Sequence, residues 1–340
     1  MKWAKTLEIR SSPHIGSGDS ADVIMFNVVL ALLPVCGFAV YHFGLAALLN
    51  LTVAVGTCVA TEHILCRLGG RDSAIGDWSA VVTGMLYSLT LPPGLALWIV
   101  AVGAMISIGV GKFFFGGLGY NPFNPALVGR AILQAAFPVP MTTWPSMPAD
   151  RFTSLPSSSL AIPFTEPRYD GVTGATPLSR LKFEGQGTET TDLFLGTISG
   201  SLGETCALLI LLGGGYLIAR CMMSWQIPVS ILLTVAIFIG ILHMASPERF
   251  PSPQFMLFSG GIMLGAVFMA TDMVSSPITH LGSVVYGILI GVLVVVIRIW
   301  GGMPEGVMYA ILLANAFSPH IDNWIQPTPY GTVKAKEETS

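Results

Sequence analysis

A short run of small residues between Asp170 and Leu178 carries the hydroxyl with the clearest chemical use in this chain. Its sequence is Asp-Gly-Val-Thr-Gly-Ala-Thr-Pro-Leu. The two glycines allow tight backbone geometry, and the proline after Thr176 fixes the exit from the turn. No bulky side chain shields the Thr176 hydroxyl, so the sequence predicts an exposed acceptor that a modifying enzyme can reach. The alternative is an ordinary turn, since Gly, Thr and Pro are common in turns.

Further polar side chains lie where apolar helices are interrupted. Asn121 and Asn124 each precede a proline, a pattern typical of a helix N-cap. Thr271 and Asp272 lie at a second break. These residues either cap broken helices or form a ligand site or ion path, because helix N-termini inside a membrane bind polar or anionic groups. Arg130, about one turn after Asn124, either neutralises a bound anion or pairs within the bundle.

Composition places the chain in a membrane. Of the 340 residues 52% are apolar and only 10% are charged, and the mean hydropathy is +0.70, whereas about a quarter of the residues in a soluble domain carry charge. The net charge of −3 and the lack of basic clusters give no indication of a nucleic-acid partner. Long blocks contain no Asp, Glu, Lys or Arg: 23–61, 78–111, 221–247, 250–271 and 273–297.

We predict an all-α polytopic membrane protein with about ten transmembrane segments, since a span needs about 20 apolar residues. Full spans are predicted near 23–41, 44–65, 94–112, 202–220, 227–245, 255–271 and 281–299. Three further apolar segments are short, and each ends at or near proline: 78–91, 125–137 and 306–317. Proline disfavours helix before it, so these segments are predicted to be broken helices that line a site inside the bundle.

The two halves of the chain show landmarks in a matching order. Each half has a break at proline, a long span ending at a basic residue, a Gly-Gly pair and a short helix ending at Phe. The matched positions, about 180 to 186 residues apart, are Pro92 and Pro277, Lys112 and Arg298, and Phe137 and Phe317. With five segments in each half the repeats are inverted in the membrane, which places a ligand site between them. The alternative is a chance match of glycines and prolines.

Lysine and arginine in the short loops predict the orientation. With the N-terminus inside, nine of these residues fall on the cytoplasmic side and only Arg249 and Arg298 lie in outer short loops. Glu62 and Glu204, near the ends of spans, are expected to reach water at the membrane surfaces. The predicted order is a cytoplasmic tail, a first transmembrane repeat, a long outer loop, a second repeat and a cytoplasmic tail: 1–22, 23–137, 138–200, 201–319 and 320–340.

The five cysteines, Cys36, Cys58, Cys66, Cys206 and Cys221, lie in or beside apolar segments and include no C-x-x-C pair. This pattern supports neither a zinc site nor a self-contained iron–sulfur site. We expect small core residues, or one cysteine that helps to ligate a cluster shared with another subunit. No metal site is predicted on this chain alone.

The stretch from Asp170 to Thr176 resembles the flavinylation motif, Asp-Gly-x-Thr-Gly-Ala-Thr, of the Rnf and Na⁺-pumping NADH:quinone oxidoreductase families. Every motif position is matched: Asp170, Gly171, Thr173, Gly174, Ala175 and Thr176. Other stretches resemble the membrane signatures of these families in the right order, so the resemblance covers most of the chain. These stretches are Leu91-Pro92-Pro93, Gly116 to Ala126, Thr271 to Pro277, and Gly306 to Asn315.

The resemblance implies that a flavin transferase moves FMN from FAD onto Thr176 as a phosphoester. It implies an electron-transfer subunit of a bacterial inner-membrane complex that couples electron transfer between NADH and ferredoxin to Na⁺ or H⁺ translocation. Other membrane and peripheral subunits are then expected, including a flavin-carrying partner, and loop 138–200 is periplasmic. Further residues become candidates for a second, non-covalent flavin such as riboflavin, or for the ion path: Asn121, Asn124, Arg130, Thr271 and Asp272.

Within these families the chain resembles the D subunits of Rnf complexes, because only about 22 residues precede its first span. The B subunits of the quinone reductase carry a longer N-terminal extension and would add a quinol site, and they are the nearest alternative. The chain contains no nicotinamide fingerprint, so the NADH and ferredoxin sites are expected on other subunits. A substrate transporter is the rival from a different class, since inverted repeats with broken helices are common in transporters.

Overall fold

The computed structural model describes residues 20–71, 74–144, 151–153, 155–163, 174–185, 187–196, 198–204 and 206–327. These residues form helices and turns, with no strand among them. Five helices in this part of the chain are long and apolar enough to cross a membrane: Ala21–Phe43, Leu45–Leu68, Leu97–Phe115, Gln226–Ala245 and His280–Trp300. The prediction of an all-α membrane protein is therefore confirmed. Most of both tails, and the motif residues Asp170, Gly171 and Thr173, lie outside the described residues.

The first half of the chain alternates long and short helices. Ser20 caps the first of them, since its Oγ accepts a hydrogen bond from Val23 N–H at 3.4 Å. Short 3₁₀ turns at Ala74–Asp77 and Phe113–Phe115 lead into the third helix and extend the fourth. The helices are α1 (Ala21–Phe43), α2 (Leu45–Leu68), α3 (Ser79–Leu89), α4 (Leu97–Gly109), α5 (Pro125–Ala136) and α6 (Pro138–Thr142).

The second half begins with short helices and then repeats the long–short alternation. Two of its short helices continue as π-helical turns, α7 through Arg180–Glu184 and α12 through Gly265–Met269. The helices are α7 (Pro177–Ser179), α8 (Thr190–Leu195), α9 (Ala207–Ala219), α10 (Gln226–Ala245), α11 (Pro253–Phe258), α12 (Ile262–Leu264), α13 (His280–Trp300) and α14 (Val307–Trp324).

Two of the predicted full spans are wrong. The helix predicted over 202–220 begins only at Ala207. The turn before it instead bonds to the end of α3, because Leu202 N–H donates to the Leu91 carbonyl at 3.1 Å and Gly203 N–H to the Leu89 carbonyl at 2.6 Å. The helix predicted over 255–271 is interrupted between α11 and α12, where Gly260 has a φ of +67° that favours glycine.

The predicted stop of the last short helix at Pro319 is also wrong. α14 runs through Pro319 and ends only at Trp324. A proline inside a helix removes one hydrogen bond and crowds the preceding turn, but it does not oblige the helix to end. The short helices predicted before Pro92 and Pro138 are confirmed, as α3 and α5.

The two halves use the same helix pairings. α4 packs against α2 and α5, and α13 packs against α10 and α14. α3 contacts α2 as α11 contacts α10, and α1 packs against α9 between the halves. These pairings are compatible with two five-segment repeats. The inversion of the repeats in the bilayer and the count of ten segments stay predictions.

Small residues let α10 and α13 approach closely. A Cβ added to Gly287 would collide with Ser230 Oγ and lie 3.0 Å from the Ile227 carbonyl oxygen. A Cβ added to Gly291 would lie 2.7 Å from Thr234 Cβ. Small residues at helix contacts are typical of membrane proteins, where van der Waals packing between helices replaces the hydrophobic effect.

We therefore predict that Gly287→Val destabilises the protein by about 1–3 kcal/mol, as expected for overpacking. The matched control is Gly56→Val in α2, where an added Cβ would meet no atom within 4 Å. Thermal unfolding of both variants in detergent measures the difference. Equal melting temperatures for the two variants would contradict the close contact of α10 with α13.

Candidate functional site: two polar clusters inside the bundle

Thr176 lines a cavity of about 400 Å³ between the two halves. We call it the Thr176 cavity. α5 contributes Arg130 and Gln134 to one wall, and the turn before α14 contributes Glu305. The other side includes aromatic and apolar side chains, among them Trp144, Phe183, Met303 and Tyr309. Ligand pockets of roughly 300–1,000 Å³ with mostly apolar walls and a few polar groups are typical of cofactor sites.

The Thr176 side chain caps the N-terminus of α7. Its Oγ1 accepts a hydrogen bond from Ser179 N–H at 3.2 Å and donates one to Ser179 Oγ at 2.9 Å. Pro177 occupies the first helical position, as is common. The expectation of an exposed hydroxyl is wrong, because Thr176 is only 4% exposed and faces the cavity.

Close packing explains why the motif has a glycine at position 174, the motif glycine among the described residues. Gly174 N–H donates to the Trp144 carbonyl at 2.7 Å. A Cβ at Gly174 would lie 3.0 Å from Ser199 Oγ. A larger residue would therefore push the chain before Thr176 away from its neighbours.

Lys182 fastens the Thr176 segment, residues 174–185, to the second half. Its ammonium group donates to the carbonyl oxygens of Arg298 (2.9 Å), Gly301 (2.5 Å) and Met303 (3.1 Å). A cation at this place also complements the C-terminus of α13. Burial lowers the pKa of Lys182 from its ordinary value. Lys182 lies in no motif, so no sequence signal indicates this role.

An ion pair between the buried Arg298 and the half-buried Glu305 closes the break between α11 and α12. Arg298 Nη2 lies 3.2 Å from Glu305 Oε1. Arg298 also donates to the carbonyl oxygens of Met256 (2.7 Å) and Ser259 (3.0 Å), and Glu305 accepts from Gly261 N–H (3.1 Å). Arg298 was expected in an outer loop, but it lies in the last turn of α13 and is buried.

The break residues Asn121, Asn124, Thr271 and Asp272 line a second, smaller pocket of about 90 Å³, the Asn121 pocket. Asn121 Nδ2 donates to Asp272 Oδ2 at 3.3 Å and thereby joins the two breaks. Asp272 also accepts from Val274 N–H at 3.3 Å, so it caps its own turn. The Thr271 hydroxyl donates to the carbonyl oxygen of Val267 at 2.6 Å.

Asn124 connects both halves. Its Oδ1 accepts from Ala126 N–H at 3.0 Å, which confirms the predicted N-cap of α5. Its Nδ2 donates to the Met269 carbonyl at 3.1 Å at the end of the π-helical turn after α12. Asn315 of α14, with its amide oriented to satisfy its neighbours, accepts from Asn124 N–H at 3.2 Å. Arg130 lies apart from this group, in the Thr176 cavity.

Lys112, which lines the Asn121 pocket, forms a buried ion pair with Glu62 of α2. Its ammonium group also donates to Ser79 Oγ at 2.5 Å. Glu62 and Glu204 were expected at the membrane surfaces, and this is wrong, because both are buried. A hydropathy profile cannot distinguish a buried ion pair from an interfacial charge. The repeat gave a signal, since its matched positions Lys112 and Arg298 are both buried cations that pair with a carboxylate.

Four of the cysteines are buried in the bundle: Cys36, Cys58, Cys66 and Cys206. Cys221 is exposed and follows α9. Cys36 and Cys58 belong to the main apolar core, as small core residues do.

Comparison with known proteins decides the family. A family model described as NQR2, RnfD, RnfE matches residues 8–331. The chain belongs to this family. Its members are the proteins that the motif around Thr176 and the membrane signatures resemble, so the predicted resemblance is confirmed.

The related members of the NQR2, RnfD, RnfE family are similar over nearly their whole length. A relative from Acetobacterium woodii, named as the D subunit of a Na⁺-translocating ferredoxin:NAD⁺ oxidoreductase complex, is 42% identical, with 98% of each chain covered. One from Clostridium ljungdahlii, named as the D subunit of a proton-translocating complex of the same kind, is 40% identical over 95% of this chain and 96% of its own. One from Stutzerimonas stutzeri, named as the D subunit of an ion-translocating oxidoreductase complex, is 42% identical over 92% of each chain.

For the buried pair we predict that Lys112→Met destabilises this family member by about 3–5 kcal/mol, because it leaves the Glu62 carboxylate buried without its partner. The double variant Lys112→Met/Glu62→Met removes both charges and is expected to recover most of that loss. Thermal unfolding of the two variants measures the difference. A double variant no more stable than the single one would contradict the pairing.

For the Thr176 segment we predict that Lys182→Met speeds backbone amide exchange in residues 177–185. The ammonium group no longer bridges α7 to the end of α13, so the segment opens more often. Arg180→Met is the matched control, since Arg180 is an exposed cation on the same segment. Hydrogen–deuterium exchange with mass spectrometry reports both. Equal exchange in the two variants would show that Lys182 does not fasten the segment.

Proposed function

We propose that this chain is the D subunit of an Rnf-type complex, in which electron transfer between NADH and ferredoxin drives the translocation of Na⁺ or H⁺. Support comes from the similarity over nearly the full length to relatives that are named as D subunits of such complexes. One of these relatives is named as proton-translocating and the other as Na⁺-translocating, and their sequence identities to this chain are almost equal. The proposed complex therefore translocates either Na⁺ or H⁺.

Within that complex, we propose that the chain carries electrons through FMN bound to Thr176 as a phosphoester. The observation that carries this proposal is that the Thr176 hydroxyl, at the matched motif position, opens into a cavity of about 400 Å³. The residues present fit an anionic cofactor such as FMN. The guanidinium of Arg130 lines the same cavity, and its Nε is buried without a hydrogen-bond partner in the described part of the chain.

The residues of the chain would hold and shield the group. A phosphoester on Thr176 lies at the N-terminus of the helix from Pro177 to Glu184, where a negative charge is favourable. The Ser179 N–H and hydroxyl are adjacent donors for phosphate oxygens. Trp144, Phe183 and Tyr309 supply aromatic surface to the cavity. When bound, the flavin supplies the redox chemistry, and the protein supplies position and electrostatics.

Attachment of FMN requires a flavin transferase, as the family resemblance implies. Because Thr176 is almost fully buried in the packed cavity, the transferase acts before the segment packs or while the segment is open. The charge asymmetry of the short loops supports a periplasmic position for loop 138–200, and so for the attachment site, at a bacterial inner membrane. In this arrangement the chain would pass electrons to or from a flavin on a partner subunit, and both termini would face the cytoplasm.

The Asn121 pocket is our proposed place for a second, non-covalent flavin such as riboflavin, or for a step of the ion path. It lies between the halves and joins amide, hydroxyl and carboxylate groups from both breaks. Sites of this kind are typical of inverted repeats with broken helices.

The two alternatives predict different chemistry. A B-type subunit of a quinone reductase would let the purified complex reduce quinone with NADH. A transporter with inverted repeats would carry no covalent flavin, so its denatured band in a gel would show no flavin fluorescence. The near-full-length similarity to D subunits of ferredoxin:NAD⁺ oxidoreductase complexes supports the D-subunit proposal over both alternatives.

Mass spectrometry of the peptide containing Thr176 tests the proposed function. Protein from cells that contain the transferase is expected to carry the mass of FMN minus water on this peptide, and Thr176→Val is expected to lose it completely. Thr142→Val is the matched control, because Thr142 is another threonine of the same cavity and should keep full occupancy. A bare Thr176 peptide in the wild-type protein would refute the proposal.

A further inference from the structure

Arg130 is the charged side chain of the Thr176 cavity that the fold leaves without an ion pair. It projects from the middle of α5 into the cavity. The ion pairs among the described residues join Lys112 to Glu62 and Arg298 to Glu305, so neither includes Arg130. Arg130 is half-buried, and its buried Nε has no hydrogen-bond partner in the described part of the chain. A buried donor without a partner is costly, which indicates that a ligand completes its environment.

Neither of the two nearby carboxylates forms an ion pair with Arg130. Glu305 lines the cavity, but its carboxylate pairs with Arg298 at 3.2 Å and accepts a hydrogen bond from Gly261 N–H at 3.1 Å. Glu204 lies near enough to interact electrostatically with Arg130, yet it forms no ion pair with it, and Glu204 Oε1 also lacks a hydrogen-bond partner. The cavity therefore offers an anionic group one unsatisfied donor.

The phosphate of FMN has donors of its own. It is joined directly to Thr176 Oγ1, beside the N–H and hydroxyl of Ser179. Arg130 makes no hydrogen bond to Thr176 in the described structure and approaches from α5, a different wall of the cavity. The ribityl chain of FMN is neutral, so the part of the cofactor whose charge Arg130 can balance is the isoalloxazine ring, which becomes anionic on reduction.

We infer that Arg130 faces the flavin ring and stabilises its reduced form, an inference that rests on the proposed attachment of FMN to Thr176. Two-electron reduction of the ring with uptake of one proton at N5 adds one negative charge, mainly at N1 and the C2 carbonyl. The electrons come from the redox partners of the complex, or from dithionite in a titration. A fixed guanidinium in a cavity of low polarity favours this anion over the neutral oxidised ring. Arg130 thereby raises the midpoint potential of the covalent flavin.

A redox titration of the covalent flavin in the purified complex tests this inference. Arg130→Gln is expected to retain FMN on Thr176. The variant should stabilise the reduced flavin at least tenfold less than the wild type does. For a two-electron couple this corresponds to a fall in midpoint potential of about 30 mV or more. Arg130→Lys keeps the positive charge and is expected to stay closer to the wild-type potential. Arg249→Gln is the matched control, since Arg249 is an exposed arginine outside the cavity and its loss should leave the potential unchanged.

The outcomes separate the inference from the proposed function. An unchanged potential in an Arg130→Gln protein that carries FMN overturns the inference and leaves the attachment intact. A wild-type protein without covalent FMN overturns the proposed function itself. If Arg130→Gln carries no flavin, Arg130→His takes its place, because a neutral imidazole at pH 8 should give a potential below wild type. Loss of FMN from both variants also overturns the inference, since a residue that only faces the ring is not needed for attachment.

Discussion

The structure depends on how the two helix breaks satisfy their backbone polar groups inside an apolar bundle. A helix that stops within the membrane leaves N–H and C=O groups that no water can reach, and each must find a partner within the protein. Here each break supplies hydrogen-bond partners to the other. Asn124 caps α5 and also donates to the Met269 carbonyl, while Asn121 donates to Asp272. The Leu89 and Leu91 carbonyls accept from the turn before α9.

This mutual capping fixes the two halves against each other, and the two cavities follow from it. The helices that stop short leave two spaces, each lined in part by residues at or near the breaks. One space contains Asn121 and Asp272, and the other contains Thr176 and Arg130. The buried cations Lys112 and Arg298 lie at matched positions of the repeat, and each is paired with a carboxylate. Charge is thus tolerated in the bundle where a specific partner compensates it.

The sequence predicted the parts of the fold that composition determines. Five long apolar helices, the short helices α3 and α5, and the Asn124 cap were all foreseeable, because a hydropathy run and an Asn-Pro step act locally. The interruption at Gly260 and the late start of α9 were not foreseeable, since both depend on contacts with residues more than forty positions away. Hydropathy also continued across them without a break.

In the candidate site, too, the sequence predicted local features but not those that depend on long-range packing. The motif identified Thr176 by its chemistry, but only the packed chain shows that the hydroxyl is buried and faces a cavity. Arg130 was grouped with Asn121 and Asp272 because they are close in sequence or in the repeat, whereas the fold separates it from them. The burial of Glu62 and Glu204 was not predicted, because a buried carboxylate and a surface one have the same sequence signal near the end of a span.

A density map of the assembled complex at side-chain resolution tests the central claim most directly. We expect density continuous with Thr176 Oγ1 that fills the cavity between α5 and α14, with a flat ring near Arg130. A cavity occupied only by water or lipid, or a flavin that extends from Thr176 away from the bundle, would contradict this account of the site.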